Sequence, residues 1–263
     1  MKKEEFSLLA VNDPAFNTKP GQIVYVEISN IFGKDKTIRY AFNQNSPVAI
    51  LLGANGDYKT TTLKILANHT DVAKETYILH KVVFVNKEVG YVLFSKNGDA
   101  KYLTVLGKNK LTYKKIAKAI KNQNSVYNWE IDVVTNCVYC DDEHRPHNIS
   151  DRHKTKEEVN EINSLYHEIT GEENIIDHLG AFRRLSKGEN KLLSIIEILV
   201  CTHRKTILWD EIENSLHVCW QEKLSYDGVL LRLVEKNNNQ LIYATHSSAM
   251  VMGNIPLIIE TLE

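Results

Sequence analysis

Lys59 and Thr60 stand where phosphate chemistry needs them. They follow the turn Gly53-Ala54-Asn55-Gly56-Asp57-Tyr58, which itself follows the apolar run Pro47-Val48-Ala49-Ile50-Leu51-Leu52. They precede the apolar-periodic stretch Leu63, Ile65, Leu66. Strand, glycine loop, Lys-Thr and helix is the order a phosphate-binding loop requires. In such a loop the backbone N–H groups from Asn55 through Gly56, Asp57 and Tyr58 to Thr61, backed by the helix N-terminus, face phosphate oxygens. The Lys59 ammonium would reach the β- and γ-phosphates, and the Thr60 hydroxyl would ligate Mg²⁺. Two further pairs bear chemistry. Asp210-Glu211 closes the apolar run Thr206-Ile207-Leu208-Trp209, and His246-Ser247 closes Leu241-Ile242-Tyr243-Ala244-Thr245. Asp210 would hold Mg²⁺ directly or through water. Taken alone, either pair also fits a solvated strand end, so their order along the chain decides.

One position departs from the loop pattern. The residue before the lysine is ordinarily glycine, because the backbone passes close to phosphate there without a Cβ, and here it is Tyr58. A tyrosine is expected to crowd the loop or change its path. A naturally weak loop, a degenerate one and an altered sequence are the three explanations.

A fourth run gives these parts a common meaning. Leu185-Ser186-Lys187-Gly188-Glu189 opens a helix one element before the strand ending in Asp210-Glu211, and Glu213-Asn214-Ser215-Leu216-His217 follows that strand. LSKGE, ILWDE, ENSLH and ATHS in this order resemble the ABC-type ATPases. The soluble branch of the overcoming-lysogenization-defect (OLD) and AAA defence type, with its SMC-like heads, is the most similar. That branch usually reads DEPENSLHP; here Ile212 and Val218 replace the prolines. The resemblance covers residues 22 to 66 and 178 to 263 and is weak between them. It implies that two copies sandwich two ATP–Mg²⁺. Gly53 to Thr61 of one copy would face Leu185 to Glu189 of the other. Ser186 would hydrogen-bond the γ-phosphate in trans, Gly188 would let the backbone approach, and Glu189 would complete that surface. Glu211 would orient or activate the attacking water, and His246 would contact the γ-phosphate. Gln123 is the nearest candidate for the family's Q-loop glutamine.

The elements that must position these residues follow. The expected fold is α/β: a P-loop ABC-type ATPase with an antiparallel β lobe, a parallel-sheet core and a helical signature lobe, all one domain over 1–263. Residues 1–66 read as strands, the phosphate loop and its helix. Residues 178–263 read as helix, strand, helix, strand and short strand, the pattern of parallel strands joined by helices. The intervening lobe, 67–177, opens with a hairpin of Tyr77–Val85 and Val89–Phe94 around the turn Asn86-Lys87-Glu88.

Composition bounds the rest. The 263 residues carry a net charge of −1, which gives no global argument for nucleic acid. No apolar stretch approaches the ~20 residues of a membrane span. Four cysteines and no apolar run after the N-terminal Met1-Lys2-Lys3 suggest reduced thiols and a cytoplasmic protein. Lys101, Lys108, Lys110, Lys114, Lys115, Lys118 and Lys121, around Ile116 and Ile120, form a lysine-rich amphipathic pattern. A nucleic-acid contact and an ordinary solvated face both fit it, and the lack of arginine favours the latter. Cys137, Cys140, His144 and His147 have zinc-ligand types, but the spacing leaves little chain to wrap an ion. A polar surface loop with incidental thiols is expected there. After Glu263 no room remains for an appended nuclease, so an effector on another polypeptide, a nuclease or toxin, is expected as partner. Three other classes compete. A transporter subunit would usually carry Gln at Glu189. A DNA-repair head of SMC type would need heptads for its arm. A pseudo-ATPase scaffold is favoured by Tyr58 and opposed by Glu211 and His246.

Overall fold

The computed structural model describes residues 23–29, 37–42, 46–53, 56–67, 78–84, 89–94, 100–105, 137–141, 153–172, 185–251 and 258–259. Asn55, the lysine stretch 108–121, Gln123 and the segment from Asp142 to His147 lie outside them. The chain forms two compact units, one of residues 47–63 with 138–258, the other of 1–46, 64–137 and 259–263.

The first unit is built on a five-stranded sheet. Its strands are β3 (Val48–Leu52), β7 (Cys137–Cys140), β8 (Thr206–Trp209), β9 (Gln240–Thr245) and β10 (Ile258–Ile259), in the order β10-β3-β9-β8-β7. β3 and β8 both run parallel to the central β9, with Leu52 beside Thr245 and Trp209 beside Tyr243. All four residues of β8 and all six of β9 are buried. Strands covered on both faces read as continuous apolar runs rather than alternating ones, which is why these segments stood out in the sequence.

Helices supply the cover. The helix α3 (Lys187–Cys201) is buried on every side from Lys191 to Cys201, as expected of a helix that is apolar all round. Its one buried acid, Glu197, is paired with Lys154 at 2.9 Å, which offsets the desolvation of both charges. The amphipathic α2 (Lys156–Thr170) buries Ile162, Leu165, Tyr166 and Ile169, a spacing that keeps one stripe inward. Its start is fixed by a reciprocal capping box between Thr155 and Glu158. Between β8 and β9 the chain makes two helices, α4 (Val218–Ser225) and α5 (Val229–Lys236), where one was expected, and the short α6 (Ser248–Val251) follows β9. The helix after the phosphate loop is α1 (Lys59–Leu66).

The second unit holds an antiparallel sheet of β1 (Ile23–Ser29), β2 (Thr37–Ala41), β4 (Ile78–Phe84), β5 (Val89–Phe94) and β6 (Ala100–Val105), in the order β2-β1-β4-β5-β6. The expected hairpin is present as β4 and β5, with Val83 opposite Val89. β1 pairs with β4 as well as β2, so this sheet takes strands from both sides of the phosphate loop. An antiparallel lobe and a parallel-sheet core are thus both present.

The Cys137–Cys140 segment corrects the sequence reading. It is strand β7 at the edge of the parallel sheet, where a polar surface loop was expected. Cys140 is 1% exposed within the core, and burial pushes its thiol up. Among the described residues no helix is long and apolar enough to cross a membrane.

Candidate nucleotide site at the strand ends

Three parallel neighbours, β3, β9 and β8, deliver the chemistry-bearing residues from their carboxyl ends. β3 runs into Gly53, β9 into His246 and β8 into Asp210. In open α/β sheets this is the edge where ligands bind.

The phosphate loop has a defined path on either side of Ala54 and Asn55. Gly56 has φ 93° and requires glycine. Asp57 folds back toward Gly53: a Cβ added at Gly53 would lie 2.5 Å from Asp57 Oδ2. Tyr58 sits at φ 59°, in the left-handed region that glycine adopts freely. The tyrosine has kept a glycine-like backbone. Its carbonyl accepts from Thr62 N at 2.8 Å and from Thr62 Oγ1 at 2.9 Å, which starts α1. The Lys59 side chain is 7% exposed, and its Nζ donates to the Gly53 carbonyl at 2.7 Å. Thr60 is exposed and Thr61 half-buried.

Asp210 and Glu211 part company at once. Asp210 is buried, and its N–H donates to the Cys140 carbonyl at 2.9 Å. Glu211 has φ 48° and is exposed, so the two adjacent carboxylates occupy different environments. The Glu211 carbonyl accepts from Asn214 N at 3.0 Å and from Lys191 Nζ at 3.4 Å. Lys191 is a buried lysine of α3 whose ammonium also lies 5.6 Å from the Trp209 ring centroid, within cation–π range. It ties the LSKGE helix to the turn that carries Glu211. Sequence reasoning gave Lys191 no role, because lysines belong on surfaces by default.

The LSKGE run is the start of α3. Ser186 is its N-cap: Ser186 Oγ accepts from Glu189 N at 3.3 Å, and Glu189 Oε2 accepts from Ser186 N at 2.8 Å. Glu189 Oε1 accepts from Tyr166 Oη at 3.0 Å. Both Glu189 oxygens are therefore engaged within the chain, one in the capping box and one with α2. Gly188 has a purpose of its own: a Cβ there would stand 2.8 Å from the Ser215 carbonyl oxygen and 3.6 Å from the Trp220 ring. The missing side chain lets α3 pack on the ENSLH turn.

His246 is exposed at the end of β9, and its N–H donates to Glu213 Oε1 at 2.7 Å. Ser247 N–H donates to Thr245 Oγ1 at 3.0 Å. Beneath, the Tyr243 hydroxyl donates to the Met250 carbonyl at 2.9 Å. Its ionisation is pushed up by burial and, secondarily, by the Glu213 charge.

Comparison with known proteins agrees with this geometry. Residues 107–251, more than half of the chain, match the family model described as "AAA domain, putative AbiEii toxin, Type IV TA system". The matched residues take in Ser186, Asp210, Glu211 and His246 and leave out the loop 53–61. No curated protein matches the chain. In fold it is similar to the SMC head domain from Thermotoga maritima, with a TM-score of 0.57 at 13% identity, over 92% of this chain and 99% of that one. It is also similar to the Smc head domain from Pyrococcus furiosus bound to the C-terminal domain of ScpA. That likeness has a TM-score of 0.56 at 13% identity, over 89% of this chain and 92% of that one. The chain belongs to this AAA-domain family and has the fold of an SMC head domain.

Proposed function

We propose that this chain binds ATP–Mg²⁺ between two copies, hydrolyses it slowly, and uses the cycle as a switch on a separate effector protein. The observation that carries the reading is the convergence of Lys59-Thr60, Asp210-Glu211 and His246 at the carboxyl ends of three hydrogen-bonded parallel strands. Lys59 already donates to a loop carbonyl, and phosphate oxygens are the stronger acceptors available to the same ammonium. The Thr60 hydroxyl and the Asp210 carboxylate are the hard oxygen donors that Mg²⁺ prefers, so the residues fit the ion. When bound, it neutralises charge on the phosphates. Glu211 is exposed on a backbone turn pinned by Asn214 and Lys191, where it accepts a proton from an attacking water. His246 stands beside it on the next strand to contact the γ-phosphate.

Dimerisation rests on the exposed start of α3. Ser186 Oγ accepts the capping N–H, which leaves its own proton to donate, and the positive end of the helix dipole favours a partner copy's γ-phosphate. A separate effector is supported by the Pyrococcus head, which is bound to a domain of another protein. A role in anti-phage defence, through a toxin or nuclease partner, draws on the resemblance to the OLD and AAA defence type, and the matching family's description names a putative toxin. Cys140, Cys201 and Cys219 are thiols rather than half-cystines, which fits work in the reducing cytoplasm.

A second reading, a nucleotide sensor or scaffold without turnover, has one observation in its favour: Asp57 and Tyr58 put an acid and a ring in the loop. Light scattering on Glu211→Gln tests the ATP-bound dimer, and phosphate release by the wild type separates the two. The switch reading expects the mass to double with ATP–Mg²⁺ and to stay monomeric when Lys59→Ala is added. No binding by calorimetry at millimolar ATP would remove both the switch and the sensor and leave a scaffold.

A further inference from the structure

The ENSLH turn does more than follow the strand that ends in Asp210-Glu211. We infer that Glu213 is a positioning residue for His246, and that it couples the start of α3 to the γ-phosphate side of the site. This inference rests on the hydrolytic reading above.

His246 is the first residue beyond β9, so its N–H has left the ladder and needs another acceptor. Glu213 Oε1 is that acceptor, at 2.7 Å, the length of a charge-assisted bond. Glu213 Oε2 is buried and accepts no hydrogen bond from the described residues, so the carboxylate is spent on this one amide. A second link runs in parallel. Ser247 Oγ donates to Gln221 Oε1 at 2.5 Å, and Gln221 Nε2 donates to the Leu216 carbonyl at 2.9 Å. The turn from Glu213 to Leu216 thus holds both residues that follow β9.

The same turn is the surface on which α3 rests. Gly188 lacks a Cβ because the Ser215 carbonyl occupies that space. A displacement of the α3 start, where Ser186 would meet the partner's nucleotide, is therefore passed to Ser215 by direct packing. From there it reaches Glu213 through the hydrogen-bonded turn, in which Leu216 N–H donates to the Glu213 carbonyl at 2.9 Å. Glu213 carries it to the His246 backbone. Engagement of Ser186 and placement of His246 become one event.

Two measurements decide this. In the nucleotide-free protein, hydrogen–deuterium exchange should show the His246 amide exchanging at least ~10-fold faster in Glu213→Ala, with the amides of β9 unchanged. In turnover, Glu213→Ala should lower kcat ~10–100-fold, the scale expected for a misplaced catalytic group, with ATP affinity within ~2-fold. Glu213→Gln, which keeps an acceptor oxygen, should recover most of kcat. Glu213→Ala combined with His246→Ala should be no slower than His246→Ala alone, whereas a merely structural role would add its loss. Should Glu213→Ala not fold, Glu213→Asp, one methylene short of the amide, carries the same expectations. Unaltered His246 exchange, or additive kinetic losses, would overturn the assignment. If the wild-type chain hydrolyses nothing, the hydrolytic reading falls, and the exchange measurement still decides whether Glu213 holds His246.

Discussion

Replacing Gly188 with alanine tests whether the LSKGE glycine is required by packing inside one chain. On helix propensity alone the change should help, because glycine in a helix costs ~0.5–1 kcal/mol relative to alanine. The structure predicts the opposite sign. The new Cβ would lie 2.8 Å from the Ser215 carbonyl oxygen, roughly 0.6 Å inside the closest ordinary contact. That oxygen cannot retreat cheaply. Ser215 is itself held at φ 68°, and the next residue is fixed through both its N–H, to Glu213, and its carbonyl, to Gln221. Overpacking of this kind costs ~1–3 kcal/mol, so the net loss should be ~1–2 kcal/mol. At ~2–4 °C per kcal/mol for a domain near this size, Tm should fall by ~2–8 °C. Calorimetric melting without nucleotide reads this directly, independent of any dimer. Adding Ser215→Gly, which frees the turn, should restore part of the loss. A Tm that rises or stays level in Gly188→Ala would show that the turn yields and would refute the packing argument.

Three further outcomes follow from particular residues. Tyr58→Gly should tighten ATP binding measured by calorimetry, since the backbone already holds a glycine conformation and only the side chain is lost; unchanged affinity would mean that the loop accommodates the ring. Ser186→Ala removes the N-cap of α3 and should cost ~1 kcal/mol in urea unfolding, besides weakening ATP-dependent association. Burial raises the folded-state ionisation of Cys140 above its ordinary 9.0 and that of Tyr243 above its ordinary 10.0. The unfolded chain therefore loses these protons first as pH rises. The stability they represent is present below pH ~9 and declines above it, by up to ~1.4 kcal/mol per pH unit for each group. Unfolding titrations between pH 8 and 11 should show a shallower decline in Cys140→Ala.

What could be read from the sequence was mostly local. β3, β8 and β9 announce themselves because fully covered parallel strands are continuous apolar runs. Each ends in polar residues at the point where a ligand edge needs them. The start of α3 was legible through Ser186 and Glu189, although the same pair that marks the motif also forms a capping box. Thr155-x-x-Glu158 is an equally plain helix start, and it would have placed α2 had the segment carried any motif to draw the eye. Long-range effects were not legible. The partner of Gly188 is a carbonyl in a different turn, and Lys191 is buried only because Trp209 and the Glu211 carbonyl receive it. Cys140 belongs to the core because β7 adds to the edge beside β8, which no local pattern announces. The pairing of β1 with β4 crosses the whole phosphate loop. Tyr58 illustrates a different limit: its conformation is visible only in coordinates, since an L-residue with positive φ is a choice imposed by its surroundings.

Phosphate release is the most direct test of the central claim that these strand ends form a working ATPase. Wild-type protein and Glu211→Gln should be compared with ATP–Mg²⁺ under single-turnover conditions, with nucleotide binding measured on the same samples. A working site should give slow release by the wild type, at least ~100-fold slower release by Glu211→Gln, and equal or tighter ATP binding by that variant. Equal release from both proteins, or none from the wild type while it holds ATP, would contradict it.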